Sequence, residues 1–224
     1  EEQIGSKPVR RLSNNEMASR LSYFLWSSSP DKELLTSKLS SAVQLEQQVD
    51  RMLQDIKAKE ISESFAYMWL RLDQVNASKP DRKIFGSFYS GHKASIHKSV
   101  KLEPILFFEN IMREDRSILE LLDADYTFMN SELIKLYGMK KEYKAQMDQA
   151  TTYKKHNGKI QKDKRGNPIK EMNKSLWFKV QLPNRNRGGI MTMAAPLLIT
   201  SFPNRTSPVK RGAWILETLF NRPP

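Results

Sequence analysis

This 224-residue sequence predicts an all-α fold: a mainly helical body of at least six helices, with room for one small strand pair near 153–181. Two observations predict it. Apolar residues recur at helical spacing in several separate windows. Strong caps, prolines and glycines punctuate those windows where helices start and stop.

The first helix opens on a capping box, Ser13 with Glu16, and continues through Met17, Leu21, Phe24 and Leu25. Pro30 ends it, and Pro30-Asp31 starts a short helix through Leu35. A third helix is expected over about 42–57, with Leu45, Val49, Met52, Leu53 and Ile56 on one face. A fourth, over about 60–73, carries Ile61, Phe65, Met68, Trp69 and Leu72 at the same spacing. Residues 75–91 read as a loop. A long helix over about 92–114 follows, and Pro104 within it either kinks the helix or begins a second one. A short helix at 117–122 leads to Asp-Ala-Asp-Tyr-Thr-Phe. Asn130 then caps a helix bearing Leu133, Leu136 and Tyr137, which Gly138 stops.

The character changes at Lys140. Residues 140–174 hold eleven Lys and Arg against four acids, a surplus of seven out of a net charge of +12. Asn157-Gly158 and Gly166-Asn167-Pro168 are turn signals inside it. The segment reads as a basic loop or exposed hairpin. Ser175–Leu182 then reads as a short strand, Gly188-Gly189 as a turn, and Ile190–Leu198 as helical until Pro196 disturbs it. Ser207-Pro208 starts a last helix through Trp214, Ile215 and Leu219. Pro223-Pro224 resembles the entrance to a linker. The expected organisation is an N-terminal helical domain over 1–139, a basic insertion over 140–174, and a C-terminal helical segment over 175–224 leading into a proline-rich linker.

Composition removes several chemistries from these residues. There is no cysteine. Disulfides, thiolate zinc sites, iron–sulfur ligation and covalent attachment of a c-type haem are therefore excluded here. No apolar run approaches the roughly 18 residues a transmembrane helix needs. No nucleophile elbow, phosphate loop or dinucleotide fingerprint is present, so no catalytic residue is assigned. Asp123, Asp125 and Thr127 resemble the start of a calcium loop. Phe128 and Ile134 stand where its glycine and bidentate glutamate belong, so no metal is assigned.

The charge surplus suits an acidic partner: a protein, a polysaccharide or another polyanion. Lys154, Lys155, Lys159, Lys162, Lys164 and Arg165 are the candidate polyanion-binding residues. The bland alternative is a solvated face. Nucleic acid is disfavoured, because lysines far outnumber arginines and no binding module is recognisable. The best local signal is Arg205, Thr206, Ser207, Lys210 and Arg211. Free N–H groups at a helix start, hydroxyls and full positive charges meet there, and suit a carboxylate, phosphate or haem propionate. The plainer reading is an ordinary cap with its arginines paired internally. His92 and His97 are candidate axial ligands to a haem, against a default of surface histidines. Trp26, Trp69 and Trp214 read as core.

Four ordered blocks resemble a known family: Arg11–Asp31, Asp123–Asn130, Arg187-Gly-Gly-Ile190 and Arg205–Gly212. They are similar to the adjoining domains of unknown function in large planctomycete-type, cytochrome-c-associated proteins. The resemblance covers almost the whole chain apart from 140–174, which has the look of an insertion. It implies a Cys-x-x-Cys-His haem segment beyond the residues given, on the same precursor or on a cleaved partner, so that haem c is attached outside this chain. It also implies export to the periplasm or cell surface. The expected function is a scaffold and docking module of an exported c-type cytochrome, supporting electron transfer. Two alternatives stand beside it: an extracellular or envelope binding module for acidic polysaccharide or another polyanion, and a non-catalytic part of a multi-chain enzyme, for which a haem-dependent oxidoreductase is one candidate.

Overall fold

The computed structural model describes residues 10–89 and 93–224. The chain forms two compact units, one ending at Ser64 and the other beginning at Phe65.

The first unit is helical: α1 (Asn14–Trp26), α2 (Lys32–Thr36), α3 (Ala42–Gln54) and the start of α4 (Lys59–Trp69). The capping box forms, with Ser13 accepting from the Glu16 N–H while the Glu16 carboxylate accepts from the Ser13 N–H. Asp31 caps α2 by accepting from the Leu34 N–H at 2.9 Å and also takes a two-pronged ion pair from Arg51. Ala18, Leu25, Trp26, Leu34 and Met52 fill the core. Ile56, expected on the buried face of α3, lies beyond the helix in a 3-10 turn and is 79% exposed. Asp55 ends α3 there and starts that turn by accepting from the Lys57 N–H.

Trp26 is the keystone of this core. It is 2% exposed, its Nε1 donates to the Met52 carbonyl at 2.9 Å, and Arg51 and Lys57 lie over its ring. Trp26→Phe removes the donor and shrinks the ring. It is expected to destabilise the first unit by about 2 kcal/mol, read as a lower urea midpoint by circular dichroism.

The second unit is built on one long helix, α5 (Lys93–Arg113), which runs continuously with Pro104 inside it. After α6 (Glu120–Asp123) comes strand β1 (Tyr126–Asn130), then α7 (Ser131–Leu136) and α8 (Lys144–Gln149). Asn130 caps α7, its side chain accepting from the Glu132 and Leu133 N–H groups. Next come β2 (Thr151–Tyr153), β3 (Lys155–His156), β4 (Lys159–Ile160), β5 (Lys170–Met172) and β6 (Trp177–Gln181). The chain finishes with α9 (Ala194–Ile199), β7 (Ser201–Phe202), β8 (Arg205–Thr206) and α10 (Pro208–Thr218). Pro196 does not disturb α9. It sits in the first turn, where a missing N–H loses no intrahelical bond. The core gathers Val100 and Phe107 of α5, Met129 of β1, Leu133 and Ile134 of α7, and Trp214 of α10.

The all-α expectation is overturned. The chain is about 51% helical with 12% strand in four small sheets, beside ten helices among the described residues, and its class is mixed α/β. The decisive pairing is β1 with β6, antiparallel from Tyr126↔Gln181 to Asn130↔Trp177. The expected strand near Trp177 exists. Its partner went unread because Tyr126–Asn130 is buried on both faces and shows no polar–apolar alternation. Hydrogen bonds between segments this far apart in sequence leave no local periodicity. The 140–174 segment, read as a loop or an exposed hairpin, takes the hairpin form with more pairing than the one strand pair expected: β2 pairs with β5, and β3 with β4 across the Asn157-Gly158 turn, both of whose residues have positive φ.

Candidate functional site

α5 presents an apolar face to the core, yet one residue on it is a carboxylic acid. Glu103 is 1% exposed, between Val100 and Phe107 on the helix surface. Its carboxylate accepts from the Thr127 hydroxyl of β1 at 2.9 Å and from the Tyr137 hydroxyl just after α7. Tyr137 in turn accepts from the Ala194 N–H at the start of α9, at 2.8 Å. The Arg187 guanidinium lies 4.0 Å from the Tyr137 ring centre and donates to the Thr192 carbonyl at 2.7 Å. Burial pushes the Glu103 carboxyl up to about 7, against the lowering effect of the hydroxyls of Tyr137 and Thr127, the Ala194 N–H and the Arg187 charge. Burial, then the charge on Glu103, holds the Tyr137 hydroxyl well above the ordinary tyrosine range. A cavity of about 10 Å³ beside these groups has room for roughly one water.

The backbone that delivers Arg187 needs its two glycines. A Cβ at Gly188 would stand 2.9 Å from the Ala124 carbonyl oxygen, and one at Gly189 would stand 2.4 Å from that of Leu122. Gly189 also has φ +61° and ψ −178°, a region open essentially to glycine alone. The Arg-Gly-Gly-Ile block is thus a close crossing over the end of α6 that aims Arg187 at Tyr137.

Tyr137, Arg187 and Ala194 also line a second, much larger groove of about 910 Å³. Its walls are apolar: Phe85, Phe88, Leu136, Leu197, Leu198 and Phe202. Its rim is basic: Lys79, Arg187, Arg205, Lys210 and Arg211. The Asp81 N–H donates to the Pro203 carbonyl at 2.7 Å and ties one lip to the other. Trp69 Nε1 donates to the Thr218 carbonyl at 2.7 Å, and Arg71 pairs with Glu217, which fix α10 in place.

The structure brings Arg205, Thr206, Lys210 and Arg211 to this groove. Ser207 is buried and spends its hydroxyl on the α10 cap, accepting from the Lys210 N–H at 3.3 Å. Arg205 and Lys210 lean on the Phe202 ring at 4.7 and 4.9 Å. The buried Nε of Arg211 has no hydrogen-bond partner among the described residues. His97 is buried against Phe88 and does not line the groove. His92 lies outside the described residues. Lys154, Lys155, Lys159, Lys162, Lys164 and Arg165 sit together on the exposed arm built from β2 to β5. Asp123 of the calcium-like stretch pairs with Arg185. Among the described residues no cluster of His, Asp or Glu could hold a metal.

Glu103 and Tyr137 are functional candidates that sequence reading passed over. The available signal was an acid at a core position of an apolar helix, three residues after Val100 and four before Phe107.

Residues 12–139 match the family model of PSD4, described as a protein of unknown function (DUF1592). The chain belongs to that family. Residues 187–224 match a second model, PSCyt3, likewise described as a protein of unknown function (DUF1588). Both are planctomycete cytochrome-c-associated domains. No curated protein matches the chain, and no solved structure does. In this chain the site joins the two matched segments: Glu103 and Tyr137 come from the first, Arg187 and Ala194 from the second. The basic arm lies between them, in neither. No described helix is long and apolar enough to cross a membrane.

Proposed function

We propose that this chain is the docking wall of an exported c-type cytochrome and supports electron transfer to or from a haem carried by a segment outside residues 1–224. One observation carries the reading: a largely apolar groove of about 910 Å³ is lined also by Arg205, Lys210 and Arg211, and the buried Arg211 Nε has no partner among the described residues. Apolar walls suit a porphyrin face, and guanidinium groups suit its propionates, which they can grip two-pronged. The family context, cytochrome-c-associated, supports the same direction.

The lining fits part of a haem. It offers a hydrophobic slot and cations but no His or Met, so iron ligands would come with the haem-bearing segment. Thioether attachment would too, because the chain has no cysteine. When bound, the haem supplies one-electron transfer. The chain's own residues do the rest. Leu197, Leu198 and Phe202 exclude water, Arg205 and Arg211 orient carboxylates, and Arg187 holds Tyr137 against Glu103. Export belongs to this reading, since c-type haem is attached outside the cytoplasm.

Iron protoporphyrin and its dimethyl ester are the probes. The dicarboxylate is expected to bind the chain with a shifted Soret band, and Arg211→Gln to weaken it roughly tenfold. The ester is expected to bind more weakly and to ignore the substitution. Native full-length protein is expected to carry a Soret band of its own. Equal binding of acid and ester by parent and variant, or colourless full-length protein lacking any Cys-x-x-Cys-His, would overturn the reading.

A further inference from the structure

The basic arm has two faces that differ in chemistry. Tyr153 stands opposite Lys170, and Lys155 opposite Ile160. Side chains alternate along an extended chain, so Tyr153 and Lys155 share a side. Lys162, two residues after Ile160, joins them through its bridge to Pro168. The opposite face takes Thr152, Lys154, His156 and Lys159, together with Glu171, which stands opposite Thr152.

The first face therefore combines three lysines with an exposed aromatic ring and contains no carboxylate. Tyr153 is 46% exposed and Ile160 45%. The acid next to Lys162 is already committed. Asp163 accepts from the backbone N–H groups of Arg165 and Asn167 at 2.8 and 2.9 Å, and the first of these bonds lies within its own turn. The ion pairs of the 140–174 segment lie at its base, Lys144 with Asp148 and Lys174 with Glu132. The arm cations form no ion pair among the described residues, and like charges that close are tolerated in solvent but invite a polyanion.

We propose that the face made by Tyr153, Lys155, Lys162 and Lys170 binds an acidic polysaccharide, with the lysines on its carboxylates or sulfates and Tyr153 against a sugar ring. A linear polymer that carries repeated anions matches three lysines spread over three segments of the arm, β3, the bridge at Lys162 and β5. Lysine, a compact and strongly hydrated charge, suits exposed single-point contacts. Single-stranded nucleic acid calls for several stacking platforms, and this face offers one. Membrane surfaces are met by amphipathic helices with a broad apolar face, which the arm lacks.

The test uses the intact chain with polygalacturonate and heparin as probes, and neutral dextran, anionic phosphatidylserine vesicles and homopolymeric single-stranded DNA as comparisons. Both acidic polysaccharides are expected to bind, with affinity falling roughly tenfold or more between about 0.05 and 0.2 M salt. The triple variant Lys155→Gln/Lys162→Gln/Lys170→Gln is expected to lose at least tenfold. Tyr153→Ala is expected to lose severalfold at an unchanged salt slope. The double variant Lys154→Gln/Lys159→Gln on the other face is expected to lose less than threefold. All these positions are exposed, so unaltered melting temperatures separate loss of binding from loss of folding. Equal losses on both faces, tighter binding to vesicles or DNA than to the polysaccharides, or no polysaccharide binding at low salt would overturn the proposal.

Discussion

Replacing Glu103 with Gln is expected to flatten the dependence of stability on pH between about 4.5 and 7. The folded chain holds the Glu103 proton up to about pH 7, whereas an exposed glutamate releases its proton near 4.5. Within that window the native state binds more protons than the unfolded state. Stability from this group is therefore greatest below pH 4.5 and falls as pH rises through 7. The full swing is on the order of 3 kcal/mol, from the separation of the two values. Burial sets the sign. The Thr127 and Tyr137 hydroxyls, the Ala194 N–H and the Arg187 charge all favour the carboxylate, and desolvation outweighs them.

Gln keeps a carbonyl to accept from Thr127 but cannot ionise. Glu103→Gln is therefore expected to be less stable than the parent at pH 5 and equal or more stable at pH 8. Urea unfolding of both proteins from pH 5 to 8 reads the difference directly. Every other titratable group is common to both chains, so its effect cancels. Parallel profiles across the whole range would mean that Glu103 stays ionised in the fold.

Gly189→Ala is the second large effect. The added methyl would meet the Leu122 carbonyl oxygen at 2.4 Å and that of Leu121 at 2.6 Å, and these are backbone atoms that cannot swing away. The residue would also keep a φ of +61°, which costs an alanine. Strain and overpacking together are expected to cost about 4 kcal/mol. The damage should reach the site, because the crossing is stitched to it. The Gly188 N–H donates to Thr192 Oγ1 at 2.8 Å, and Arg187 donates to the carbonyl of the same threonine. Gly212→Ala is the control. Nothing lies within 4 Å of its added Cβ, and it sits inside α10. It is expected to be neutral or stabilising by up to about 1 kcal/mol. A thermal melt of each variant distinguishes the two glycines, and similar melting points would refute the close-crossing account.

Short-range chemistry was legible from the sequence. Ser13 with Glu16, Asn130, and Ser207 with Pro208 mark helix starts because a cap needs only residues within one turn of it. The Asn157-Gly158 turn and the β6 strand were legible for the same reason. The anion candidates at α10 were also visible, and the structure sets four of them on one groove while Ser207 closes the cap.

What the sequence determined by itself, then, is where helices begin, where the chain turns, and where the positive charge accumulates. Each depends on neighbours a few residues apart. Tertiary structure alone decided that Tyr126–Asn130 is a strand, that Glu103 is a buried acid against Tyr137, and that Arg187 lies over the Tyr137 ring. Those outcomes depend on hydrogen bonds and desolvation between segments that meet only after folding, and no local pattern encodes such a meeting.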